Sequence, residues 1–118
     1  CTHNGQYAYI FHVDKSAFAG ISTERFIEAL NAEGIPNQAS YPPLHELGLF
    51  QSGDYLKRLL PEVRVQDHAF LKGDFPHTVR GAWETVWLPQ VLLLGDEQDM
   101  DEIAQAISKI QRHAAALA

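Results

Sequence analysis

The chain has 118 residues, about one domain's worth, and its 15 Asp and Glu against nine Lys and Arg give a formal net charge of −6. That acidic balance argues against a nucleic-acid binder, which needs a basic stripe to displace counterions. A composition of 46% apolar and 20% charged residues excludes a disordered chain, and the longest strictly apolar run, Val91-Leu92-Leu93-Leu94, is far too short for a membrane helix.

Cys1 is the single cysteine, so no internal disulfide can form. Together with a start that shows no basic and apolar leader, this fits a reducing, cytoplasmic setting. The start also lacks an initiator Met, so the chain is expected to be a piece of something longer or a processed product.

Residues 6–14 are aromatic and β-branched with loose alternation and predict a strand. Ser22 is a good helix N-cap, with Ile21 placed to pack on Phe26 as a hydrophobic staple. Phe26, Ile27 and Leu30 then form a helical stripe. Gly34 supplies the left-handed stop, Ile35 folds back toward Leu30, and Pro36 prevents continuation. A strand-sized stretch at 37–40 runs into Tyr41-Pro42-Pro43.

Residues 41–74 show little periodicity, with a short helix at 55–60 and a weak edge at Val63 and Val65 as the best local readings. Such a stretch inside a compact domain usually carries function, so chemistry is sought here first. Asp74-Phe75-Pro76 opens a helix with Pro in its first turn, and Val79, Ala82 and Trp83 share a face. Residues 85–88 predict a short strand. The last helix is marked by Met100, Ile103, Ile107, Ile110, Ala114 and Leu117 in steps of 3 and 4. Its acidic start and basic end suit the helix dipole, and Asp99 with Glu102 has capping-box spacing. The order predicts one domain over residues 1–118, a small α/β (α+β) sandwich of about three strands with helices packed on one face.

Self-contained chemistry is scarce. His12-x-Asp14 and Asp67-His68 lack the spacing of a zinc site, and no nucleophile elbow or phosphate-binding glycine motif is present. Trp83 and Trp87 read as core residues whose indole N–H groups find carbonyls. Tyr41-Pro42-Pro43-Leu44-His45 is more distinctive: it sets a phenol and an imidazole on a proline-stiffened segment, which lowers the entropy lost on ordering them around a ligand. The bland alternative is a turn whose Tyr and His cap neighbouring backbone.

Taken in order, Tyr41-Pro42-Pro43-Leu44-His45, Phe75-Pro76, Val86-Trp87-Leu88-Pro89 and Met100-Asp101-Glu102-Ile103 resemble the C-terminal small domain of pyridoxal-phosphate-dependent sugar aminotransferases, the DegT–StrS family of fold type I. The run from Trp87 to Gly95 looks closest to the branch that makes aminocyclitols and aminohydroxybenzoate. The resemblance implies a C-terminal fragment that closes over the active-site cleft and helps recognise a keto-sugar or keto-cyclitol. Pyridoxal phosphate and its lysine would sit on a large domain of the same enzyme, and the parent would be a homodimer taking its amino group from glutamate or glutamine.

None of Lys15, Lys57, Lys72 and Lys109 has an evident apolar setting that would make it a good amine nucleophile, so the isolated chain is expected to be inactive. The resemblance carries Tyr41 and His45 over as substrate-facing residues. Ser40 is the third candidate, although the family pattern usually has a His at that position. A rival reading is a freestanding ligand-binding or regulatory module without catalysis. Another is an aminotransferase-like domain that has lost its chemistry and serves as a sensor or assembly surface.

Overall fold

The computed structural model describes residues 7–52, 58 and 74–118. They divide into two compact units, one formed by Cys1–Ser40 with Trp83–Ala118 and the other by Tyr41–Ala82.

The first unit is built on a three-stranded antiparallel sheet. Its strands are β1 (Ala8–His12), β2 (Gln38–Ala39) and β3 (Thr85–Pro89), in the order β1-β3-β2. The register pairs Ala8 with Pro89 and His12 with Thr85, and Gln38 with Trp87. Strand alternation sends Val86 and Leu88 to one face, where both are buried. Against that face pack helix α1 (Thr23–Ala32), through Phe26 and Leu30, and the long C-terminal helix, which contributes Ala106 and Ile110. This is the expected α/β sandwich with helices on one face of the sheet.

Phe26 is the centre of that core. It is fully buried and meets Phe11 and Phe18 edge-on, with centroids 6.1 and 5.1 Å away. Edge-to-face pairs of this kind add to the stabilisation from burial alone.

The ends of α1 follow the sequence signals. The Ser22 side chain accepts a hydrogen bond from the Arg25 N–H at 3.2 Å. The Ile35 N–H donates to the Leu30 carbonyl at 3.1 Å, with Gly34 at φ 87°, the left-handed region that glycine enters without a Cβ clash. Glu24 in the first turn has its carboxyl held below the ordinary glutamate range, first by a backbone hydrogen bond and then by the Ser22 side chain.

The sequence expectations need adjusting in three places. β1 is shorter than residues 6–14, and just past its end the Val13 N–H donates to the Glu84 carbonyl, in register with the β1–β3 pairing. The apolar run after β3 is wound into a 3-10 turn, Gln90–Leu94. The C-terminal helix then begins at Glu97, so its capping box joins Asp96 and Asp99, one turn earlier than Asp99 and Glu102. Trp83 is exposed, because the neighbouring Ala82 takes the buried position at that helix end. Trp87 is half-buried and does find its carbonyl, donating to Ala39 at 2.8 Å.

The second unit contains a 3-10 turn at Leu44–Glu46, helix α2 (Gly48–Ser52) and helix α3 (Pro76–Trp83), whose final residue belongs to the first unit. The C-terminal helix of the first unit is accordingly α4 (Glu97–His113). The helix expected at 55–60, apart from Arg58, and the edge at Val63 and Val65 lie outside the described residues. No helix among the described residues is long and apolar enough to cross a membrane.

Candidate substrate-binding site

His45 is placed by its own turn. Two hydrogen bonds fold the chain after Pro43: the Glu46 N–H donates to the Pro43 carbonyl at 2.9 Å and the Leu47 N–H to the Leu44 carbonyl at 3.2 Å. The next helix is tied back on this turn, because the Gln51 side-chain amide donates to the His45 carbonyl. Pro43 has a fixed φ and is itself buried, so the segment leading to the imidazole has little backbone freedom.

The imidazole faces an aromatic partner. His45 and Phe75 have ring centroids 4.9 Å apart at 50°. Phe75 sits immediately before the first residue of α3, and its carbonyl accepts from the Val79 N–H. Thr78 is one turn further along the same helix face. With Leu44 and Phe50 these residues line a cavity of about 310 Å³, at the lower end of the range for small-molecule sites. The His45 side chain is 20% exposed, so most of the ring is wall and one edge is open to a ligand.

Two of the three sequence candidates lie in this unit, and one of these lines the cavity. His45 is in the wall. Tyr41 belongs to the same unit but is 74% exposed and is not among the lining residues. Ser40 belongs to the first unit, where its N–H donates to the Thr85 carbonyl at 3.3 Å and extends the β2–β3 pairing.

Phe50, Phe75 and Thr78 were not singled out as site residues from the sequence. The signal for the last two was present: Pro76 at the first helical position fixes where α3 begins, and that places Phe75 and Thr78 three residues apart on one face.

The first unit holds a larger apolar cavity of about 520 Å³, bordered by Tyr9, Phe11, Phe18, Leu88 and Met100. Among the described residues, its titratable walls are Tyr9 and His12. His12 Nδ1 lies 3.7 Å from Glu84, while Asp14 accepts from the Ser16 N–H and hydroxyl. Asp67 and His68 lie outside the described residues, among which no group of three metal-ligating side chains occurs. Neither described lysine sits in an apolar pocket. Lys15 is exposed, and Lys109 pairs with Glu33 at 2.7 Å.

No protein-family model matches the chain. Curated relatives match nearly all of it. A protein of Streptoalloteichus tenebrarius, provisionally named L-glutamine:3-amino-2,3-dideoxy-scyllo-inosose aminotransferase, is 32% identical over 98% of the chain. A counterpart of the same provisional name from Streptomyces kanamyceticus is 32% identical over 93%. The L-glutamine:2-deoxy-scyllo-inosose aminotransferase of Streptoalloteichus tenebrarius is 31% identical over 95%. The chain spans 29%, 27% and 27% of these three proteins, so it resembles a part of much longer aminotransferases.

Proposed function

We propose that the chain is the C-terminal domain of an aminotransferase that acts on a keto-cyclitol with L-glutamine as amino donor. The observation that carries this reading is the match of nearly the whole chain to part of aminotransferases named for scyllo-inosose substrates. The cavity is consistent with it. A walled space of about 310 Å³ suits one saturated ring, whose C–H faces lie against Phe75, Phe50 and Leu44 while His45 offers a hydrogen bond to a ring hydroxyl. Among the described residues that line it, none is Lys or Arg, which a phosphorylated sugar would call for.

In this reading the whole protein uses pyridoxal phosphate, which when bound supplies an electron sink for exchange of the amino group. The described residues of this chain do not fit the cofactor, since neither Lys15 nor Lys109 has the required surroundings. In this reading the cofactor is held by a large domain outside this chain. What the present residues contribute is placement: His45 is fixed by the turn and by Gln51, and holds the ring in one orientation. The apolar walls keep water from the part of the substrate they cover. Tyr41, on the same proline-stiffened segment, meets the substrate as the domain closes over the cleft.

The test is made on the full-length protein. Incubation with L-glutamine and either 2-deoxy-scyllo-inosose or 3-amino-2,3-dideoxy-scyllo-inosose is expected to give the corresponding amine by mass spectrometry. Absence of product from both cyclitols overturns the reading.

A further inference from the structure

We propose that the apolar cavity between β1 and α4 in the first unit is filled, in the whole protein, by an apolar-faced segment of the same polypeptide that precedes Cys1. The inference rests on the reading above, in which the chain is the C-terminal domain of a longer aminotransferase. It goes beyond that reading by naming where the preceding part docks.

The cavity arises because the apolar stripe of α4 is wider than its partners cover. Ala106 and Ile110 are buried in one cluster with Phe26, Leu30 and Val86. Met100, Ile103 and Ile107 step by 3 and 4 beside them, are only half-buried, and line the cavity together with the exposed Ala104. β1 supplies the facing wall through Tyr9 and Phe11. A space of about 520 Å³ with walls of this kind is several side chains in size, far more than a close-packed interior leaves.

The strand beside this cavity has an open side of its own. In the order β1-β3-β2 both outer strands present an edge among the described residues, but the two edges are not alike. β2 is two residues long and offers little to pair with. β1 runs for five residues, Ala-Tyr-Ile-Phe-His, without a Lys or Pro of the kind that protects exposed edges. An unprotected edge next to an unfilled apolar cavity marks a surface that another body covers.

Two facts select the occupant. The chain spans only 27–29% of the relatives it matches, so in the reading above most of the parent lies outside it. β1 is the first element of the described chain and borders the cavity at Tyr9. Polypeptide entering ahead of it is therefore tethered beside the cavity, and docking there costs less entropy than capture of a separate molecule.

The experiment uses the full-length protein with Ala104→Cys, and Gln105→Cys as control. Both positions are exposed in this chain, but only Ala104 lines the cavity. Reaction of the introduced thiol with iodoacetamide is followed by peptide mass spectrometry. The thiol at position 104 is expected to react at least tenfold more slowly than that at position 105 in the folded protein, with the difference lost in urea. Rates within twofold of each other in the folded protein overturn the proposal. The occupant is identified with benzoylphenylalanine at position 104 in a mixture of light and heavy-isotope protein. A photo-cross-link to residues ahead of Cys1 within one isotopic form supports the assignment. A cross-link joining light to heavy, or one to a residue among 7–118, overturns it, because a second copy or this chain itself then fills the cavity. Neither readout involves turnover, so the docking assignment and the keto-cyclitol reading fail separately.

Discussion

The first unit places its large apolar side chains against one another, with Phe26, Leu30, Val86 and Ile110 sealed between sheet and helices, whereas the second lines a space with Leu44, Phe50 and Phe75. The same residue types therefore do opposite things. In the first unit these four side chains are covered by their neighbours, and the result is stability. In the second the cover is incomplete, and the result is room for a ring-sized ligand. Substitutions in the two units should consequently separate folding from recognition.

The largest effect is expected at Phe26. Phe26→Ala removes a fully buried ring and both of its edge-on partners, and should cost about 3–5 kcal/mol in chemical denaturation. A cost below 1 kcal/mol would show that the two units do not differ in the way described. His45→Ala should behave in the opposite sense. In the full-length protein kcat/KM for a cyclitol should fall about 10- to 100-fold, as for loss of one hydrogen bond to a ligand plus one wall, with thermal stability changed by only a few degrees. Unfolding of the variant at assay temperature would place His45 among the structural residues instead.

Smaller effects test how the helices of the first unit are started. A Cβ at Gly95 would run into the Asp99 side chain, which is half of the α4 capping box. Gly95→Ala should therefore cost about 1 kcal/mol, comparable to loss of a cap, and Asp99→Ala in the same background should add little further. Ser22→Ala removes the cap of α1 and should also cost about 1 kcal/mol near neutral pH. Because Ser22 also helps hold the Glu24 pKa down, part of that cost depends on pH. A lowered folded-state pKa contributes stability that is complete above the unfolded glutamate pKa and is lost as the pH falls through the folded value. The difference between Ser22→Ala and the natural chain should shrink on acidification through that window, and urea titrations at pH 6 and pH 3 measure it.

The first unit was readable from its residues because its signals are local. Ser22, Gly34 and the 26, 27, 30 stripe each state a helix boundary or face within a few residues, and all three are found as expected. The sequence places the capping box of α4 one turn too late because Asp96, Asp99 and Glu102 repeat the same spacing. The choice between them depends on where the preceding 3-10 turn ends, which is set by packing of the Gln90–Leu94 segment. Trp83 is exposed against expectation because a side chain's size says nothing about which side of a helix end is buried. In the second unit His45 was recognisable from the stiffened segment that carries it. Its opposite wall was not, because Phe75 approaches through a pairing thirty residues distant that no local pattern encodes.

The strand order has a consequence for how the first unit comes into being. β3 lies between the other two strands, yet it is the last of the three in the chain. Until residues 85–89 have been synthesised, β1 and β2 have no neighbour to bond, and they do not bond each other. The sheet thus forms in one step across long loops, with closure entropy overcome only once residues 85–89 are available. A nascent chain halted before Thr85 would expose β1, with Tyr9 and Ile10 on it, as an unpaired and adhesive edge. Within these residues, β3 is the segment that covers the edge of β1.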